Sequence, residues 1–398
     1  MNKINQFLMV IILNTIICFA QEGIKIREVT GSCSKVIISF YKDINVVQAK
    51  SAGNYKFIPD DVDNLVVTAM GKFIVLDGLK LKKGQTYKIS INPEVQGANG
   101  EPLQSHEIEF SPKYEKRKVR ISTVQPLRIE EWSKCFSTGN EGSKGYLKYI
   151  ESLIDEAGAM NPDLILLPED IPNPWGDEDI PGEFSKWFSK KAKQHNSYLV
   201  CVILESVGKD TYSTAVLFDR KGKIVGKYHK IYLIEPSTKV AGNTFPVFET
   251  DFGKVGIQIC FDIIALESFH RLALNGAEII LFPHASGSLY EMDTIIRMRS
   301  AAVSNSVYFV SSHFGRLLEG PAKGYSNWFG RSCIINPSGY IIADAGTDPG
   351  VASALIDLDR KRLGVGFGDW GINDIKYRTN KHYRPELYKG LCRPKKEE

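Results

Sequence analysis

Strands that alternate with helices from Val119 onward, and short strands alone before that point, predict an α/β domain preceded by a small all-β sandwich. Three observations carry this expectation. Residues 24–112 hold short apolar runs (KVIISFY, NYKFI, LVVTA, KFIVLDGL, QTYKISI, HEIEF) between turn strings such as LKKGQ and GANGEP, and none has a helical period. SPKYEKRK (Ser111–Lys118) follows as a polar, lysine-rich linker. Beyond it the period changes. VRISTVQ reads as a strand, and Tyr146, Leu147, Ile150, Leu153 and Ile154 then fall on one face of a helix.

The elements of the second part follow in order. LILL is a strand, GEFSKWFSKKAKQH a helix and YLVCVIL a strand. YSTAVLFDRKGKIVGKY is a hairpin turning at Asp219–Gly222. Val255–Ile259 forms a short buried strand, and IIALESFHRLALNG a helix from Ile263 that ends at Gly276. The strand AEIILF, the helix TIIRMRSAAVSNS, the strand VYFVSS, a hairpin over Asn336–Gly339 and the strand VASALIDLD complete the alternation. The aromatic, glycine-rich tail after Asp359 is placed to cover a partner subunit or a pocket mouth.

Residues 1–20 read as a secretory leader. Lys3 supplies the positive start, Phe7–Ile17 an apolar run, and Cys18–Ala20 the small residues of a cleavage site after Ala20. The run is shorter than the roughly 20 apolar residues that span a bilayer, so no stable membrane insertion is expected. The expectation is export to the periplasm or the extracellular space; a lipoprotein anchored through Cys18 is the alternative, disfavoured by Ile16 and Ile17. Lys and Arg number 50 against 46 Asp and Glu, a formal charge of +4 that is too balanced to imply nucleic acid. The seven cysteines are irregularly spaced and form no disulfide framework, and no Cys/His cluster has metal-ligand spacing. Neither a metal nor another cofactor is expected.

Chemistry concentrates at three strand ends. KVGIQICFDI puts Cys260 where a strand turns into a helix, and there free N–H groups favour an anion. A lone free cysteine is usually just a small buried hydrophobe. Here, however, DLILLPED presents Glu169 after an apolar strand, and GKYHKIYLIEP carries Lys230 with Glu235 close behind. In open α/β architectures such strand ends gather ligands and catalytic groups.

These strings resemble the carbon–nitrogen hydrolase (nitrilase) superfamily over about Arg117 to Asp359: LLPED its glutamate motif, KYHK its lysine motif, ICFDI its cysteine motif. NGAEIILFPHAS and RMRSAAVSNSVYFVSS add support, and PED, YHK and CFDI with a leader are most similar to the biotinidase and pantetheinase branch. The first domain resembles a bacterial immunoglobulin-like module, notably in GLKLKKGQTYKISI and GANGEPL. The implied organisation is a signal peptide at 1–20, an immunoglobulin-like β-sandwich at 24–112 and a carbon–nitrogen hydrolase domain at 117–398. The implied hydrolase fold is a four-layer α-β-β-α sandwich that pairs through a helical face into a homodimer.

The resemblance implies hydrolysis of a small-molecule, linear amide by a Glu169–Lys230–Cys260 triad through a thioester, with Glu235 as a fourth member. Cysteine is mostly thiol at neutral pH and needs a base, here Glu169; Lys230 and the Phe261 N–H would hold the oxyanion. Substrate contacts are expected from Phe261, His284, Ser286 and Trp175. Ile263 and Ile264 stand where relatives acting on carbamoyl amino acids carry an arginine, and Phe261-Asp262 replaces the Trp-Glu of nitrilases, which favours amides. Asp262 is expected to form a structural ion pair with Arg297 or Arg299. An N-acyltransferase using the same acyl-enzyme and a catalytically inactive binding protein are the competing readings.

Overall fold

The computed structural model describes residues 23–60, 62, 64–136, 142–234, 238–316, 327–360, 363–365, 372–374, 384 and 386–387. The chain divides into two compact units, one of Met1–Arg117 with Leu363–Glu398 and one of Lys118–Arg362.

The first unit is built on two antiparallel sheets. One orders β1 (Ile26–Ser32), β2 (Lys35–Phe40), β5 (Phe73–Asp77) and β4 (Val66–Met70) as β1-β2-β5-β4. The other orders β3 (Tyr55–Ile58), β6 (Tyr87–Ile91) and β7 (Glu107–Phe110) as β3-β6-β7. Val36, Ile38 and Phe40 of one sheet share a core with Tyr87, Ile89 and Ile108 of the other. One turn of helix, α1 (Val46–Ala49), interrupts the strands where none was expected, because the Asn45 side chain caps it by accepting from the Val47 and Gln48 amides.

The second unit stacks two six-stranded sheets. The first orders β8 (Lys118–Gln125), β9 (Leu164–Leu166), β10 (Tyr198–Val207), β11 (Asp210–Phe218), β12 (Ile224–His229) and β19 (Gly350–Asp357) as β12-β11-β10-β9-β8-β19. The second orders β13 (Val247–Glu249), β14 (Lys254–Ile257), β15 (Ile279–Pro283), β16 (Tyr308–Ser312), β17 (Cys333–Ile335) and β18 (Ile341–Asp344) consecutively. In each sheet three central strands run parallel and antiparallel strands flank them.

Side-chain alternation assigns the layers. Ile279 and Leu281 of β15 join Leu164, Val200 and Leu217 in a core between the sheets, while Ile280 and Phe282 turn outward onto α5 (Leu266–Leu274) and α6 (Glu291–Asn305). On the other side, α3 (Gly142–Ala159) and α4 (Glu183–Gln194) pack Tyr146, Ile150, Phe184 and Phe188 against Ile165, Leu199 and Cys201; α2 (Ile129–Phe136) adds Trp132. The result is the expected helix–sheet–sheet–helix layering, with the predicted apolar face of α3 buried. One boundary differs: the helix expected from Ile263 starts at Leu266, after a separate 3₁₀ turn over Cys260–Ile264.

Candidate active site

The three strand ends converge. Glu169 follows β9 and is 3% exposed, Lys230 follows β12 and is 7% exposed, and Cys260 follows β14 and is 6% exposed. Lys230 Nζ donates to Glu169 Oε1 at 2.6 Å, and the Cys260 thiol lies within electrostatic reach of both groups. Loops at the carboxyl ends of three strands thereby bring an acid, a cation and a sulfur into one water-poor pocket.

Local structure holds each member. Cys260 opens the 3₁₀ turn with a φ of +45°, a left-handed conformation that few non-glycine residues adopt and that the surroundings must enforce. The backbone N–H of Lys230 donates to the Ser213 carbonyl at 2.9 Å, and its carbonyl accepts from Gly242 N–H at 2.8 Å, so the lysine is fixed on both sides. Asp170, next to Glu169, faces Arg128 at 3.6 Å, and that guanidinium lies over the rings of Phe314 and Trp328.

The electrostatics define the resting state. Burial lifts the Glu169 carboxyl above the usual range, although the Lys230 charge opposes the rise. Burial by itself would depress Lys230, but the charges of Glu169 and Cys260 outweigh it and raise its pKa. Burial and then the Glu169 charge push the Cys260 thiol up, while Lys230 and the Ala285 amide pull it down. The sulfur therefore rests as a thiol, with the Glu169 carboxyl near it and the Lys230 cation bonded to that carboxyl.

The other expected site residues divide. Phe261 is half-buried in the first turn after Cys260, where amides lack intrahelical partners. His284 is fully buried and Ser286 half-buried; they flank Ala285, whose backbone amide reaches the sulfur. Both are engaged internally, since His284 Nδ1 meets Ser286 Oγ at 3.0 Å. Trp175 is 46% exposed and packs its ring on Phe184 in the helix-side core, whereas Cys260 belongs to the core between the sheets. Glu235 lies outside the described residues.

Asp262 corrects an expectation. It pairs with neither arginine: Arg297 bonds Asp293 at 2.8 Å, and Arg299 donates to the Gly339 carbonyl at 2.8 Å. Its partners are instead a tyrosine hydroxyl and three backbone amides.

Two features escaped the sequence. His313 stacks on Phe329 at 4.2 Å and lies tilted against His284 at 4.3 Å, and its Nε2 meets the Ser286 carbonyl at 2.8 Å, so two imidazoles grip the segment that carries Ala285. Burial holds both rings neutral, His313 with a pKa pushed down to about 4. Glu205, 2% exposed, is a carboxylate inside an apolar strand; it bonds Lys227, Thr214 and His229 Nε2, the last two at 2.9 Å, and it orients His229 on the face opposite Lys230. A charged residue in YLVCVILES was the available signal.

Comparison with known families fits this geometry. The carbon–nitrogen hydrolase family model matches residues 139–363. The chain belongs to the carbon–nitrogen hydrolase family. Among its relatives, the omega-amidase NIT2 of Xenopus tropicalis is 32% identical over 232 aligned positions, spanning 52% of this chain and 81% of that protein. The human omega-amidase NIT2 is 30% identical, spanning 52% of this chain and 82% of its own length. Among solved structures, Saccharomyces cerevisiae Nit3, a member of the nitrilase superfamily, superposes with a TM-score of 0.51 at 24% identity, covering 61% of this chain and 90% of Nit3. An amidase from Nesterenkonia sp. superposes with a TM-score of 0.54 at 18% identity, covering 69% and 97%. The two superpositions establish the shared fold. This carbon–nitrogen hydrolase is thus an enzyme of C–N bond hydrolysis with amidases among its relatives.

Proposed function

We propose that the chain is an exported amidase that cleaves a linear, non-peptide amide through a Cys260 thioester. One observation carries the reading: Lys230 bonds the buried Glu169 carboxylate at 2.6 Å, and the buried Cys260 thiol feels the charge of both. Glu169 accepts the thiol proton as sulfur attacks the amide carbon, and the carbonyl oxygen takes up the negative charge beside Lys230 and the Phe261 amide. When the tetrahedral adduct collapses, the C–N bond breaks and Glu169 returns the proton to the leaving nitrogen. Water then attacks the thioester, giving its proton to Glu169, and the acid departs as sulfur regains a proton. Beyond substrate and one water, each step uses only groups of this site.

Amidase relatives support the amide class, and the missing arginine after Asp262 argues against carbamoyl amino acids. The PED, YHK and CFDI strings favour amides of the biotinyl or pantetheinyl kind. The leader supports export, and the two-sheet first unit supports an immunoglobulin-like module that spaces or docks the enzyme. Leu289, Tyr290, Met292 and Ile296, all more than half exposed at and before the start of α6, suit the helical face of a homodimer, which light scattering on the purified chain tests.

The test of function is a panel of primary and N-alkyl amides, scored for released ammonia or amine. Turnover that disappears in Cys260→Ala is expected. An acyl product found only on added amines would instead make the chain a transferase, and no turnover of any member would defeat the amidase reading.

A further inference from the structure

Asp262 is a fully buried charge with no part in the reaction as written, and its bonds have a pattern. Oδ1 accepts the backbone N–H groups of Ile231 at 3.2 Å and Tyr232 at 2.8 Å, the two residues after Lys230. Oδ2 accepts the N–H of Ile259 at 2.8 Å, the residue before Cys260, and the hydroxyl of Tyr228 at 2.6 Å, two residues before Lys230. The Asp262 N–H in turn donates to the Ile259 carbonyl at 3.0 Å, so reciprocal bonds straddle the left-handed Cys260. Behind Tyr228 the network continues: Gln258 Nε2 donates to the tyrosine oxygen at 3.1 Å, and Ser268 Oγ to Gln258 Oε1 at 2.9 Å.

Topology gives this pattern its meaning. Lys230 leaves β12, the edge strand of one sheet, and Cys260 leaves β14 of the other. Among the described residues no strand ladder joins the two, so their separation depends on contacts across the layers. We propose that Asp262 is the positioning residue that sets the lysine-to-cysteine geometry, one carboxylate tying the backbone just after Lys230 and the Tyr228 hydroxyl just before it to the turn that presents the sulfur. What is being positioned rests on the amidase reading above. Four donors converge on the carboxylate and fill its acceptor sites; burial raises its pKa, and these bonds together with the Lys230 charge oppose the rise.

The test compares Asp262→Asn with Ser268→Ala in the full chain. Asparagine keeps the size but cannot accept from both backbone groups at once, because its NH₂ must face one of them. Ser268→Ala removes a buried bond at the far end of the same network and serves as the stability control. Three quantities are measured: kcat and KM on an amide, Tm, and the pH profile of Cys260 alkylation by iodoacetamide, which needs no turnover. Positioning predicts that Asp262→Asn lowers kcat about 100-fold, the scale of an ångström-sized misplacement, with KM held within about threefold. It also predicts that alkylation moves to higher pH, because the lysine charge that favours the thiolate is displaced. Ser268→Ala should lose Tm but keep the wild-type kcat and profile. If Asp262→Asn loses only Tm and otherwise matches Ser268→Ala, the proposal is overturned. If no form turns over any amide, the amidase reading falls and the alkylation profiles still decide the positioning. Should Asp262→Asn not fold, Asp262→Glu keeps the charge and acceptors but lengthens the tie by one methylene; a kcat loss beyond that of Ser268→Ala supports the proposal, and wild-type behaviour overturns it.

Discussion

Replacing Lys230 by methionine probes the site at the point where its stability and its chemistry meet. The ammonium is 8% exposed at the side chain and bonds Glu169 at 2.6 Å, so its loss strands a buried carboxylate. Breaking a buried pair by removing one partner typically costs about 3–5 kcal/mol. Glu169 can soften that loss by taking a proton, since Lys230 is the first charge holding its raised pKa down. The sign follows from linkage. A carboxyl whose pKa is raised by folding binds its proton more tightly in the folded chain, so the penalty is absent at low pH and grows as pH rises past the unfolded value of about 4.3. Lys230→Met raises the folded pKa further and extends that window upward. At about 2–4 °C per kcal/mol for a domain of this size, the variant should lose roughly 6–20 °C of Tm at pH 8, and clearly less at pH 5. Its kcat should fall about 100- to 1,000-fold, the usual cost of one oxyanion donor. Calorimetry across pH and steady-state assays on a well-turned-over amide read both. A Tm deficit that is the same at pH 5 and pH 8, or a kcat within tenfold of wild type, would refute the reasoning.

Other perturbations test the support of the site. A Cβ at Gly242 would stand 2.2 Å from the His229 carbonyl oxygen, a backbone atom with little room to yield, and the Gly242 amide holds the Lys230 carbonyl. Gly242→Ala should therefore lower kcat at least tenfold although it touches no reacting group, and unchanged kinetics would show that the lysine segment is not set from this side. His313, with its pKa near 4 against about 6.5 unfolded, refuses a proton that the unfolded chain accepts, so stability drains away as pH falls from about 6.5 to 4. His313→Phe should lower Tm at pH 7, through loss of the bond to Ser286, yet flatten the decline of Tm across that window; an undiminished slope in thermal melts would rule out this ring as its source.

The sequence made much of this legible because the informative signals are local. Each of Glu169, Lys230 and Cys260 follows an apolar strand within a few positions, a weak signal singly, and the three strings taken together are what pointed to one site. Contacts that cross layers were not legible. Asp262 was expected to meet an arginine along its own half of the chain, but two of its donors are amides that follow a strand of the other sheet, and nothing in KYHKIY marks a backbone N–H as a partner. The grip of His284 and His313 on the Ala285 amide was hidden for the same reason, since it needs two strands side by side. The late start of α5 reflects Asp262 as well: its bonds close a separate turn around Cys260 before the helix begins. In the first unit, α1 rests on a single asparagine cap, too short a signal to stand out among strands.

The most direct measurement is the intact mass of the chain during turnover of an amide. The account predicts a transient species heavier by the acyl group, borne on Cys260, discharged by water and missing from Cys260→Ala. Steady hydrolysis by the Cys260→Ala chain, or an acyl adduct mapped to any other residue, would contradict it.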